Sequence, residues 1–243
     1  MTKSGCMNLF QRIISFLGHW RWVLKYEFIP VRQARRRYCV TLKRISAKVA
    51  SGKKLKVVFL SGEISKWKVQ SLYDWMKNSS FFEPVVALTL TSALRDSLNP
   101  AERRRRFEDA RSFFAARGIE PIEALEPETG QYHDMKSLGA DIVFYYQPWD
   151  LSGEHQPHMV AKSALTCYVP YYVPNYGDLK MDAQQPFHRT LWAYFILNEE
   201  WEALFRKAVK PWMTASRLVG LGHPMLDVFN AKLETQEDKC IVT

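Results

Sequence analysis

The chain has 243 residues, 47% hydrophobic and 14% aromatic, enough for a buried core, which excludes disorder of the whole chain. Its formal charge of +9 is unevenly placed: residues 1–56 hold 14 lysines and arginines against one acid, Glu27, whereas the remainder holds 20 basic and 24 acidic residues. A basic arm on a slightly acidic domain points to an anionic surface, and the domain's own balance and lack of a recognised nucleic-acid module argue against a polynucleotide.

The arm comes first. Leu9, Phe10, Ile13, Phe16, Leu17, Trp20, Val23 and Leu24 recur at three- and four-residue intervals, with Gln11, Arg12, Ser15, His19 and Lys25 on the opposite face. This is an amphipathic helix, too polar to cross a bilayer that needs about 20 mostly apolar residues. It is suited to lie on one, with Phe10, Phe16, Trp20, Trp22 and Tyr26 at headgroup level and Arg35, Arg36, Arg37 and their basic neighbours attracted to anionic lipid. Two other readings are a helix docked on its own domain and, ranked last for its few serines, a transit peptide. Cys6, Cys39, Cys167 and Cys240 lack paired spacing and read as free thiols of a reducing compartment. No secretory signal is read, because polar residues follow Leu17 where a cleavage site would stand.

Residues 51–54 break the pattern, and the domain is expected to begin at 55. Segments 55–60, 84–90, 119–124, 140–146, 165–173 and 217–221 read as strands, with helical stretches between them. Among these, Asn99, Pro100 and Glu102 form an N-cap, a first-turn proline and a capping-box acid, and Gly118 closes the helix that follows. The alternation predicts a doubly wound parallel α/β sheet. Ligands of such sheets bind beyond the carboxyl ends of the strands, which directs attention to the loops at 61–63, 147–150, 174–178 and 222–224.

Several motifs fail on inspection. Gly220-Leu221-Gly222 lacks the third glycine of a dinucleotide fingerprint, His155 and His158 share no regular face for a metal, and the run 103–106 of four arginines reads as a solvated helix face. No phosphate-binding loop or nucleophile elbow occurs, and neither cofactor nor metal is expected.

At those same loops the sequence resembles the CDP-glycerol glycerophosphotransferase family, the teichoic-acid-type polymerases and their capsular relatives. The likeness runs over about residues 55 to 243 and is carried by four blocks: Val57-Val58-Phe59-Leu60 through Trp67 to Tyr73; Ala140-Asp141-Ile142-Val143-Phe144 to Pro148-Trp149-Asp150; Cys167-Tyr168-Val169-Pro170-Tyr171-Tyr172; and Leu191-Trp192-Ala193-Tyr194-Phe195 with Val219 to Asp227. The last, a Gly-x-Pro-x-x-Asp turn after a strand, is the most specific.

The resemblance implies a Rossmann-like domain forming the amino-terminal, acceptor-side half of a GT-B-like fold over 55–238, with residues 239–243 opening a second domain. It implies transfer from a nucleotide-activated donor to a polysaccharide or lipid-linked acceptor at the cytoplasmic face of the cell membrane, the donor being held mainly by that second domain or by a partner chain. The alternative is a non-catalytic adaptor that holds a partner enzyme. The family's Trp-His-Gly-Thr-type loop is replaced here by Val173-Pro174-Asn175-Tyr176-Gly177, so the acid-base group falls to Glu63, Asp150 or His188. Trp67, Trp149, Asn175, Tyr176 and His223 are the expected acceptor contacts.

Overall fold

A computed structural model describes residues 9–173 and 175–227. Seven parallel strands form one sheet: β1 (Leu55–Ser61), β2 (Phe82–Leu88), β3 (Ile122–Glu123), β4 (Ile142–Tyr145), β5 (Leu165–Tyr168), β6 (Ala193–Ile196) and β7 (Arg217–Gly220). Their order is β3-β2-β1-β4-β5-β6-β7, so the winding reverses between β1 and β4. This is a doubly wound, Rossmann-like α/β fold. The predicted strands are present, and β6 is an addition that the apolar, aromatic run 191–197, ended by Asn198, could have announced. Pro84 sits in β2 opposite Val57, where β3 has not yet joined, so its missing N–H falls beside an open edge.

Connections on the two halves cover opposite faces of the sheet. On one, α3 (Gln70–Asn78) and α5 (Pro100–Ala115) follow β1 and β2, with the short α4 (Ser92–Ser97) before α5. Trp67, Tyr73 and Phe114 pack there on Phe59 and Phe144. On the other, α6 (Pro157–Val160), α7 (Tyr176–Asp182), α8 (Pro186–Thr190) and α9 (Glu199–Ala208) bury Tyr145, Tyr168 and Tyr194 beneath Phe187 and Phe205. The capping box of α5 forms as expected, Asn99 and Glu102 each accepting from the other's amide. One arginine of the run departs from the solvated reading: Arg103 is buried, and its guanidinium donates to the carbonyls of Pro127 and Leu98 at 2.6 Å each, tying the segment between β3 and β4 to α5.

The arm is helical from end to end. α1 (Leu9–Val23) runs through a π-helical segment (Leu24–Phe28) into α2 (Ile29–Ala50). Pro30 explains the interruption, because its ring excludes the carbonyl four residues back; the preceding Ile29 amide bonds the Leu24 carbonyl, one residue further.

The boundary expected at residue 54 does not separate this arm from the domain. Val31, Ala34, Tyr38, Thr41 and Ile45 of α2 are buried across the amino ends of the strands. Tyr38 donates to the Thr190 carbonyl at 2.7 Å, ahead of β6, and Arg35 donates to the Thr214 carbonyl at 3.0 Å, ahead of β7. Thus α2 belongs to the globular unit, as in the docked reading, while the described side chains of α1 from Ile14 to Trp22 are all exposed. The expected second domain at 239–243 lies outside the described residues.

Candidate functional site

The winding reversal between β1 and β4 opens a crevice at their carboxyl ends, bordered by the loops after β1, β2, β4 and β5. The loops bond to one another. The Thr89 amide donates to the Ser61 carbonyl at 2.9 Å, and the Tyr171 amide donates to the Tyr146 carbonyl at 3.1 Å. Ser92, at the start of α4, donates from its amide and its hydroxyl to the Asp150 carbonyl at 2.7 and 2.9 Å. Lys66 reaches over the Tyr171 ring, 5.2 Å from its centroid, and pairs with the Glu63 carboxylate at 2.5 Å.

Of the expected acid-base residues, Glu63 and Asp150 are on this rim. Asp150 is exposed and has φ 51°, the one positive φ outside glycine among the described residues; backbone strain of this kind persists where the surroundings impose it, here the two bonds from Ser92. His188 is elsewhere. Its side chain is fully buried on α8 among Tyr168, Phe187 and Tyr194, and burial pushes its pKa down to about 3, so it is a core histidine without access to an acceptor.

The aromatic and polar contacts divide in the same way. Trp149 is 37% exposed on the rim and free to meet a ligand. Trp67 is only 7% exposed, its ring packed edge-on against Phe59, Phe114 and Tyr146; it is core, and the alternation of buried Trp67 and Val69 with exposed Lys68 was its sequence signal. Asn175 spends its side chain capping α7, accepting from the Gly177 and Asp178 amides at 2.8 and 3.2 Å. The Tyr176 side chain lies outside the described residues. His223 is buried, with Nε2–H donating to the Pro170 carbonyl at 2.5 Å, so it holds two loops together. The turn that contains it is anchored by Ser71, whose hydroxyl donates to Asp227 at 2.7 Å. A Cβ on Gly220 would stand 2.7 Å from the Asn198 carbonyl carbon, so the first glycine of the 220–222 motif serves close packing of β7 on the start of α9.

Three polar residues of the crevice were not among the expected contacts: Ser61, Tyr146 and Gln147. The first ends β1 and the others follow β4 directly, and a polar residue placed at the carboxyl end of an apolar strand beside the reversal is the signal that could have found them. A cavity of about 110 Å³ lies beside Ser61, Glu63, Thr89 and Arg106. A second, larger groove of about 500 Å³ runs between α3 and the turn after β7 and is mostly apolar, with Trp75, Phe144, Phe195 and Leu221 in its lining.

On the arm, Phe16, Trp20 and Trp22 are 61%, 47% and 52% exposed; the Phe10 side chain lies outside the described residues. Trp22 is about 200° around the helix from Trp20, so a helix lying flat cannot sink both rings equally. Arg35 and Arg37 point to the domain instead: Arg37 donates to the His158 carbonyl, and Arg35 to those of Thr214 and Pro211. Arg36 faces outward, as do Arg32 and Lys43, and these three have no hydrogen-bond or ion-pair partner among the described residues. His155, weighed above for a metal, is buried with Nε2–H donating to the His133 carbonyl at 2.9 Å. None of the described helices is long and apolar enough to cross a membrane. No protein-family model, curated protein or solved structure matches the chain.

Proposed function

We propose that the chain is the acceptor-side domain of a membrane-peripheral glycerophosphotransferase or glycosyltransferase of envelope polysaccharide synthesis, the first half of a GT-B-like fold. The observation that carries this reading is the division of the sheet's two edges between two tasks. The amino edge is closed by α2, which turns Arg32, Arg36 and Lys43 outward and continues into α1 with Phe16, Leu17 and Trp20 uncovered. The carboxyl edge is open, and its rim carries Glu63, Asp150 and Trp149. A domain lying on anionic lipid by its amino edge would turn its crevice towards the aqueous phase, where an acceptor polymer and a donor-binding domain can reach it.

Within this reading Glu63 or Asp150 accepts the proton of an acceptor hydroxyl, a contribution on the order of 10² to 10⁴ in rate, and Trp149 stacks on the sugar or polyol. The nucleotide donor is assigned in this reading to another domain or chain, in keeping with a crevice that shows no phosphate-binding loop among the described residues. The test is transfer from CDP-glycerol and common nucleotide sugars by the chain reconstituted with a donor-binding domain on anionic vesicles. Alanine at Asp150 or at Glu63 is expected to lower turnover at least a hundredfold; full activity of both variants would remove them from the mechanism. The adaptor reading draws on one observation, that neither His188 nor His223 is placed for proton transfer, and it predicts vesicle binding with no transfer from any donor.

A further inference from the structure

Resting on the carboxyl edge as an acceptor site, we propose that Ser61, Tyr146 and Gln147 form a subsite for the uncharged hydroxyl groups of a polyol or sugar, closed to phosphate. Three side-chain atoms here are buried with hydrogen-bonding capacity unmet: Oγ of Ser61 and the hydroxyl oxygen of Tyr146, which lie close enough to interact with each other, and Oε1 of Gln147. The residues are 3%, 1% and 6% exposed. Buried polar atoms in folded proteins are nearly always paired, so a junction where Oε1 of Gln147 has no protein partner and Ser61 and Tyr146 have only each other marks a place where a ligand or water completes the bonds. They are neighbours by construction, because β1 and β4 lie side by side and these residues stand at their carboxyl ends. Gly62 lets the Gln147 side chain lie close against the β1 loop: a Cβ there would stand 3.2 Å from Nε2 of Gln147. The 110 Å³ cavity opens beside Ser61, and a void of about 10 Å³, room for one water, adjoins Tyr146 and Gln147.

The donor set decides the ligand class. Oε1 of Gln147 only accepts, so the atom that meets it must bring a hydrogen, whereas the hydroxyls of Ser61 and Tyr146 can donate or accept. A polyol hydroxyl brings both a hydrogen and lone pairs, meeting Ser61 from the cavity and Tyr146 and Gln147 through a water in the adjoining void, whereas phosphate would bring negative charge beside the carboxylates of Glu63 and Asp109 in the same lining. The cavity lining holds one cation, Arg106, with two acids, Glu63 and Asp109, and the nearby Lys66 is paired with Glu63 at 2.5 Å. The helical turn that the β1 loop does place at the cavity, the 3₁₀ segment Ile64–Lys66, starts at the carboxylate of Glu63, which repels an anion, and α3 starts farther on at Gln70.

Nuclear magnetic resonance of the ¹⁵N-labelled full chain tests this, with glycerol, methyl α-glucopyranoside and inorganic phosphate added in turn. The signals to follow are the Gly62 backbone amide and the Gln147 side-chain amide. Glycerol or the glucoside is expected to move both saturably while phosphate moves neither, and Tyr146→Phe and Gln147→Leu should each weaken binding about five- to tenfold. Ser61→Ala, the smallest change, carries the same expectation should either larger one disturb the spectrum. Signals that ignore both polyols, phosphate that saturates the site, or variants that bind like the wild type would overturn the proposal. Binding by a chain whose completed form transfers nothing to a hydroxylated acceptor would sink the acceptor-domain reading alone. Glu63- or Asp150-dependent transfer without binding at this junction would sink the subsite alone.

Discussion

The guanidinium of Arg44 donates to the buried carboxylate of Asp141 at 2.6 Å, and through this contact a helix of the basic arm is fastened to the start of β4. Lys48 donates to the second oxygen, which also accepts from the Lys56 amide at 2.9 Å. Burial raises the Asp141 pKa, but Lys48, the Lys56 amide and Arg44 together outweigh it and hold the group below the ordinary carboxylate value. A carboxylate depressed in the fold contributes stability above its unfolded pKa and loses it as pH falls through the folded one. Asp141→Asn should therefore cost about 3 kcal/mol at neutral pH, by stranding two cations beside a neutral amide, and the penalty should shrink below about pH 4. Truncation separates the two halves of the arm: removing residues 1–23 should leave urea unfolding nearly unchanged, whereas removing 1–50 uncovers Leu55 and Leu165 and should abolish cooperative unfolding. A cooperative transition in the longer deletion would show that α2 is dispensable to the fold.

The two arginine sets of α2 should separate membrane binding from stability. Arg37 and Arg35 donate to backbone carbonyls of the domain, so alanine there is expected to lower stability by about 1 to 2 kcal/mol while vesicle co-sedimentation changes little. Arg36 and Lys43 face outward, and each contributes on the order of 1 kcal/mol near an anionic leaflet. Changing both to glutamate should cut binding to anionic vesicles at least tenfold, leave the unfolding midpoint within experimental error and remove most of the salt dependence. Trp20→Ala should weaken binding more than Trp22→Ala, since Trp20 shares the face of Phe16 and Leu17. Equal losses at Arg36 and Arg37, or binding indifferent to lipid charge, would exclude this surface as the membrane contact.

How much of this was legible in sequence follows from which side chains have partners close in the chain. The apolar runs at 55–60 and 140–146 declared buried strands because, past Lys56 and Asp141, they are unbroken β-branched, aliphatic and aromatic residues. The capping box at Asn99 was equally plain, for both of its bonds lie within three residues. What hid was long-range. Val31, Ala34, Tyr38, Thr41 and Ile45 give α2 an apolar stripe that a membrane or a domain covers equally well, and the carbonyls that bind Arg35 and Arg37 lie more than 120 residues away. The site divided along the same line. The loops stand after the strands as the alternation predicts, but neighbouring aromatic rings and backbone amides occupy Trp67, His188 and Asn175, and the unmet polar atoms of Ser61, Tyr146 and Gln147 become visible only when β1 and β4 stand side by side.

The last prediction concerns the core pair that the acid-base expectation left behind. Asp182 and His188 are both buried, with Nε2 of the histidine 3.5 Å from one carboxylate oxygen and the Tyr194 hydroxyl donating to the other at 2.8 Å. Burial raises the Asp182 pKa to about 6, against the Tyr194 bond and with a small addition from Asp178, and burial lowers that of His188 to about 3. Between about pH 4 and 6 the fold thus holds a proton on Asp182 that the unfolded chain releases, while the unfolded chain holds one on His188 that the fold refuses. The raised carboxyl makes stability rise as pH falls, the depressed imidazole makes it fall, and in the wild type the two slopes cancel. Asp182→Asn leaves only the histidine, so its stability relative to wild type should drop by about 1.4 kcal/mol per pH unit from pH 6 to 4. His188→Gln leaves only the carboxyl and should gain by a similar amount over the same interval. Urea unfolding of the three proteins at half-unit steps measures this directly, the comparison with wild type removing the contribution of all other groups. Three parallel curves would mean that neither group changes its protonation differently in the fold and in the unfolded chain.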